Sequence, residues 1–287
     1  MLWIVLAAAS VLALPAQVRA ETPPGRSAGC GGTAALPERL EVEVAGTRRH
    51  ALVAAPRGYD PAIPHHLVFA FHGRTNTAAQ ARQYFRLEPA AQAPTIFVYP
   101  EALRAADGRF AWSDPRDPPG RLRDYAVFDA LLDRMAASFC IDPAAVFVAG
   151  HSLGASFASS LACARGDRIR GVVAVAGGIV PSRCVGQVGA VLIHNPKDAL
   201  VPIAEGRRAL AAFLAQNGLA EERPDPVDIA GLACRRYGSD PNGNPVLWCQ
   251  HDEDGTGGRR PGARPYPHTW PAEAGEIAMT FFEGLAD

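Results

Sequence analysis

The sequence predicts an α/β fold: a mostly parallel central sheet with helices on both faces, preceded by an antiparallel hairpin. Three observations carry this. Several short runs are apolar throughout, as strands buried on both faces must be. Segments with apolar residues three and four positions apart lie between and after them. Near the start, two extended runs flank Ala45-Gly46, a hairpin signal.

Residues 39–45 and 47–55 are the two arms of that hairpin. The apolar runs follow at 67–71 (Leu-Val-Phe-Ala-Phe), 95–99, 145–149, 172–176 and 190–193. Residues 124–139 place Tyr125, Phe128, Leu131, Leu132 and Met135 at helical spacing. Residues 152–164 and 204–217 are also helix-like, the second stopped by Gly218. An amphipathic helix over 271–285 closes the chain. Strands alternating with helices give a mostly parallel sheet. Two Pro- and Gly-rich stretches, 107–121 and 252–267, are long for connections and are expected to wall a site.

The 287 residues are 48% apolar and 20% charged, with a formal net charge of −1. That balance suits one large globular domain, expected over residues 33–287. It carries no basic footprint for nucleic acid or a membrane surface. Residues 1–20 read as a secretory signal, an apolar run ended by Val18-Arg19-Ala20. The run is short against the roughly 20 apolar residues of a membrane span, so cleavage is favoured over an uncleaved anchor. Residues 21–32, rich in Pro, Gly and Ser, read as a flexible arm.

Six cysteines in an exported chain suggest up to three disulfides. Cys234 and Cys249 flank a turn-rich segment between two strand-like runs, so their ends should meet. Elimination then leaves Cys163 with Cys184 and Cys30 with Cys140, against the alternative that some are buried thiols. No Cys/His cluster has zinc spacing, and neither metal nor cofactor is expected.

The most informative segment is Gly150-His151-Ser152-Leu153-Gly154, a G-x-S-x-G pattern directly after a strand-like run and before a helix-like one. A serine on such a tight turn is exposed at the carboxyl end of its strand, with glycines admitting the close approach of neighbours. The pattern alone is common; its strand–turn–helix context makes it specific, and it is the mark of the α/β-hydrolase fold. A serine needs a base, and the base an orienting acid. In this fold the acid precedes the base and both follow the serine. Asp198 lies in the loop after the 190–193 run, and His268 lies just before the last helix. His194 precedes every well-placed acid; His251 is the serious rival for the base. Glu205, Asp228, Asp252 and Asp254 are rival candidates for the acid, less well placed in the chain.

The oxyanion hole is expected from the amides of Leu153 and Arg74, with Thr75 the alternative second donor. His151, Thr75, Trp112 and Trp270 are candidate substrate contacts, with Tyr84 and Phe85 also near the site loops; ordinary packing is the alternative for each aromatic.

Residues 67–73, 124–133, 139–142, 149–155, 161–163, Trp248-Cys249 and 268–271 together resemble the secreted feruloyl esterases and the related polyhydroxybutyrate depolymerases. The resemblance covers about residues 30–285. It implies Ser152, Asp198 and His268 as the triad of a secreted carboxylic ester hydrolase. The implied substrates are hydroxycinnamoyl esters of plant cell-wall carbohydrate or, as the alternative, short-chain polyhydroxyalkanoate. It makes His251 non-catalytic. Two departures, Arg74-Thr75-Asn76 after His72-Gly73 and the long 252–267 loop, bear on substrate choice. An inactive exported binding protein on the same fold is the reading from another class.

Overall fold

A computed structural model describes residues 25–114, 123–180, 182–221, 223–238, 243–255 and 266–286. The signal-like segment and the middles of both long loops lie outside the described residues. So do residues 239–242, in the stretch whose sequence is turn-rich.

In chain order, β1 (Arg39–Val44) and β2 (Thr47–Ala54) form the antiparallel hairpin, and β3 (His65–Phe71) follows. Two helices that apolar periodicity did not reveal come next, α1 (Ala78–Phe85) and the single turn α2 (Leu87–Ala90). Helix α1 starts at a capping box: the Thr77 hydroxyl accepts from the Gln80 amide at 3.2 Å, and the Thr77 amide donates to Gln80 Oε1 at 2.9 Å. Then come β4 (Thr95–Pro100), the short ribbon β5 (Leu103–Arg104) and β6 (Phe110–Ala111), and α3 (Arg123–Ser138). Strand β7 (Ile141–His151), α4 (Leu153–Ala164), β8 (Gly171–Val175), β9 (Gly189–His194) and α5 (Ile203–Asn217) continue the alternation. Strands β10 (Asp225–Ile229), β11 (Leu232–Tyr237) and β12 (Val246–Gln250) precede α6 (Ala274–Ala286). Helix α6 begins three residues later than the pattern predicts, because residues 271–273 form a turn closed by the Ala274 amide on the Pro271 carbonyl.

Among the described residues the large sheet has ten strands in the order β1-β2-β4-β3-β7-β8-β9-β12-β11-β10. Pairing is parallel from β4 through β12 and antiparallel at both ends. Alternation along β3 shows why its run is wholly apolar. Leu67, Phe69 and Phe71 pack toward α3, α4 and α5 with Phe128, Leu131, Phe157 and Phe213. Val68 and Ala70 pack on the other face with Phe85 of α1 and Ile277 and Phe282 of α6. The α/β-hydrolase fold places every parallel strand's carboxyl end at one rim, and the loops there build the site.

The structure joins Cys30 to Cys140, Cys163 to Cys184 and Cys234 to Cys249, the last pair directly opposite on β11 and β12. Residues 25–32 correct the expectation of a flexible arm. The Ser27 hydroxyl donates to the Phe139 carbonyl at 2.6 Å and accepts from the Ile141 amide at 2.9 Å, while Cys30 is tied to Cys140. Small, polar composition here serves close packing: a β-carbon on Gly29 would lie 2.2 Å from the Phe139 nitrogen. Among the described residues no helix is long and apolar enough to cross a membrane.

Candidate active site

Ser152 stands between β7 and α4 with φ 59° and ψ −125°. A non-glycine residue in that region stores strain of about 1–3 kcal/mol. Neighbouring backbone over-determines it: the Ser152 amide donates to the Val175 carbonyl at 2.9 Å, and the Ser152 carbonyl accepts from Ser156 at 3.0 Å. The flanking glycines are required by contact. A β-carbon on Gly154 would lie 2.1 Å from the Phe71 carbonyl oxygen, and one on Gly150 2.4 Å from that of Gly154.

His268 Nε2 lies 2.7 Å from Ser152 Oγ, and His268 Nδ1 lies 2.6 Å from Asp198 Oδ2. The other Asp198 oxygen accepts from the amides of Leu200 at 2.9 Å and Val201 at 3.0 Å. Burial pushes the Asp198 carboxyl up, but hydrogen bonds from His268 and these amides outweigh it and hold the group below its ordinary value. Asp198 is therefore a fixed, buried anion beside the imidazole.

The loop after β3 abuts the serine: a β-carbon on Gly73 would be 3.4 Å from that of Ser152. His72 holds this loop from beneath. Burial lowers its pKa and keeps it neutral, so Nδ1–H donates to the Gly73 carbonyl at 2.8 Å while Nε2 accepts from the Ala102 amide at 3.1 Å. Because a trans peptide points its C=O and N–H in opposite directions, the Arg74 amide faces away from His72. The Arg74 guanidinium pairs with Asp107 at 2.6 Å on the surface.

Ser152, Leu153, His268 and the 73–76 loop line a depression of about 730 Å³. His151, Thr75 and Trp270 line it as well. Trp112 does not, which corrects its candidacy as a substrate contact. It is buried, stacked on Phe157 at 5.0 Å, with its indole N–H donating to the His72 carbonyl at 2.9 Å, so it props the loop from inside. A depression of equal volume at the amino ends of β3 and β4 includes none of these groups.

Four of the rival residues hold other places. His194 donates from Nε2 to the Val201 carbonyl at 2.7 Å, bracing the far end of the loop that carries Asp198. His251 is buried, with its pKa lowered to about 4 by burial, and lines a separate depression with Asn195, Lys197 and Glu273. Glu205 pairs with Arg208 on α5, and Asp228 accepts from the Gly231 amide in the β10–β11 turn. Sequence reasoning overlooked Asn195, whose Oδ1 accepts from the Lys197 amide at 2.9 Å and whose Nδ2 donates to the Glu253 carbonyl at 2.8 Å. Its signal was available: Asn two residues before a loop amide is an Asx turn. Among the described residues no group of three or more His, Cys, Asp or Glu is placed to hold a metal ion.

No protein-family model matches the chain. Feruloyl esterase C of Emericella nidulans is 30% identical over 222 residues, 74% of this chain and 75% of that protein. This chain belongs to the feruloyl esterase family. Poly(3-hydroxyalkanoate) depolymerase C of Paucimonas lemoignei is 28% identical to this chain over 155 residues, 53% of this chain and 37% of that protein. Acetyl xylan esterase from Aspergillus awamori shares the fold, with a TM-score of 0.61 at 12% identity, covering 86% of this chain and all of that structure. As a member of the feruloyl esterase family, the chain is a carboxylic ester hydrolase.

Proposed function

We propose that this chain is an exported serine carboxylesterase that cleaves hydroxycinnamoyl (feruloyl-type) esters of plant cell-wall carbohydrate. The observation that carries the reading is the line from Ser152 Oγ through His268 to Asp198, with separations of 2.7 and 2.6 Å. His268 takes the serine proton through Nε2 as the hydroxyl attacks the ester carbonyl. Asp198 holds Nδ1–H toward itself and stabilises the imidazolium. The amides of Leu153, in the unsatisfied first turn of α4, and Arg74 hold the oxyanion. His268 then protonates the leaving alcohol, and the same imidazole activates water against the acyl-serine.

The relative from Emericella nidulans supports a feruloyl acyl group. The cleft suits an amphiphilic ester: Leu153 and Leu200, the latter 64% exposed, lie with Thr75, Asn76 and Arg109. One catalytic domain over 33–287 is supported by the single large sheet, and export after removal of residues 1–20 by three disulfides. Polyhydroxyalkanoate depolymerisation is the second reading, favoured by the relative from Paucimonas lemoignei.

The test is turnover of methyl ferulate beside hydroxybutyrate oligomers, with labelling by a serine-directed fluorophosphonate. Wild type is expected to cleave methyl ferulate faster and to be labelled. Ser152→Ala is expected to lose about six orders of magnitude in kcat while keeping its fold. Turnover retained in folded Ser152→Ala ends the serine mechanism. Faster cleavage of the oligomers moves the substrate to the second reading. A wild type neither labelled nor active would make it a binding protein.

A further inference from the structure

Helix α1 brings Tyr84 to the one place where the loop after β3 meets the strand-to-helix turn. Its hydroxyl lies 3.2 Å from His151 Nδ1, in the residue just before Ser152. Tyr84 also lines the depression that holds Gly73, Arg74, Ser152 and Leu153. Tyr84 thus binds the 151–153 turn, expected to supply one oxyanion amide, inside the cleft that the 73–76 loop also lines. Three further contacts fix it. The capping box at Thr77 starts α1 directly after the loop, Phe85 stacks on Trp270 at 4.1 Å, and the Tyr84 ring meets Trp270 edge-on.

We infer that Tyr84 is a positioning residue for ester hydrolysis, its hydroxyl fixing the turn that carries Ser152 and the Leu153 amide through its hydrogen bond with His151. The inference rests on the proposed serine mechanism and adds a residue to it. The Tyr84 O–H donates to His151 Nδ1 in the neutral tautomer that carries its proton on Nε2. Burial keeps both partners in the required form: His151 is held neutral, with a pKa near 3, and the tyrosine stays protonated. A neutral His151 adds no charge against the His268 imidazolium that forms 5.2 Å away, ring to ring. The hydrogen bond is thus the same through the working pH range of an esterase.

Such a hydrogen bond acts when the carbonyl oxygen becomes an oxyanion, so its loss should appear in kcat and in binding of a tetrahedral mimic. The experiment is Tyr84→Phe, which keeps the ring and its packing. The readouts are kcat and KM on p-nitrophenyl acetate and methyl ferulate, and inhibition by an aryl boronate that forms a tetrahedral adduct on the serine. The expected result is a fall in kcat of about 10- to 100-fold with KM within about twofold, and boronate affinity weakened by the same factor. The double variant with His151→Asn should lose little more than Tyr84→Phe alone, because both break one hydrogen bond. Unchanged kcat and boronate affinity in folded Tyr84→Phe overturns the inference. A rise in KM with kcat intact also overturns it and makes Tyr84 a substrate contact. Wild-type turnover and an inert Ser152→Ala keep the serine mechanism whatever Tyr84→Phe does.

Discussion

The loop that carries Asp198 and the loop that carries His268 are fastened in opposite ways. Residues 194–201 hold themselves. Asn195 caps the Lys197 amide, Asp198 caps those of Leu200 and Val201, the Asp198 amide returns to the Asn195 carbonyl, and His194 closes on Val201. Residues 266–272 are held from outside. The Tyr266 amide donates to the Asp254 carbonyl, the Ala272 amide to the Glu253 carboxylate, Trp270 stacks on Phe85 of α1, and His268 leans on Asp198 itself. Asp198, the proposed acid, is therefore pre-placed by its own short segment, whereas His268, the proposed base, is placed by the assembled fold.

The largest expected effect separates the two histidines that sequence left in competition. His268→Gln should lower kcat by about 10⁴-fold or more, whereas His251→Gln, which alters a separate depression, should leave kcat within a few-fold. Asp198→Asn should cost about 10⁴-fold, through the wrong imidazole tautomer, with the loop intact. Steady-state kinetics on methyl ferulate read all three. A large loss in His251→Gln would mean that the acid loop depends on its neighbour and does not hold itself.

Next in size come the fastenings. Trp270→Ala removes the stack on Phe85 and should destabilise the fold by about 3 kcal/mol or more. It should also lower kcat by at least about tenfold, because the base is left loosely aimed. Asn195→Ala breaks one Asx turn and one bond to Glu253 in a loop with other ties, and should cost about 1–2 kcal/mol with little change in kcat. Urea denaturation and kcat on the same preparations test the pair. Equal effects on kcat would remove the distinction between a self-held and a fold-held loop.

That distinction also explains what was legible in the sequence. The parallel strands showed because both faces of each are buried, so alternation vanishes into continuous apolar runs. The strand–turn–helix at Ser152 showed because its glycines answer contacts within the segment and to β3. The acid loop is local, and its turn chemistry stands in consecutive letters. The proposed base was ambiguous between His251 and His268 because nothing near either one records that Trp270 lands on Phe85. Helix α1 escaped because its buried positions are two alanines and one Phe, too little apolar contrast to mark a face; the Thr77–Gln80 capping signal was present. Trp112 was misjudged for the complementary reason. Proximity to a site loop in sequence does not say on which side of that loop a ring lies.

The smallest expected effect concerns acid, and it too divides along the two loops. His151 packs on the base, His251 lies behind the acid loop, and burial lowers their pKa values to about 3 and about 4. In the unfolded chain each takes a proton near pH 6.5. Below that pH the unfolded state binds more protons than the native state, so stability falls as pH falls. The slope is about 1.4 kcal/mol per pH unit for each histidine, until the native group itself titrates near pH 3 to 4. Asp198, with its pKa held below the usual value, contributes stability above about pH 4 and loses it only in stronger acid, so the two windows do not coincide. Urea unfolding of wild type at steps between pH 7 and pH 4.5 should show the decline, and His251→Gln should flatten it by about one proton. A slope unchanged in His251→Gln would show that His251 takes its proton in the folded state, which would put a cation directly behind the loop that presents Asp198.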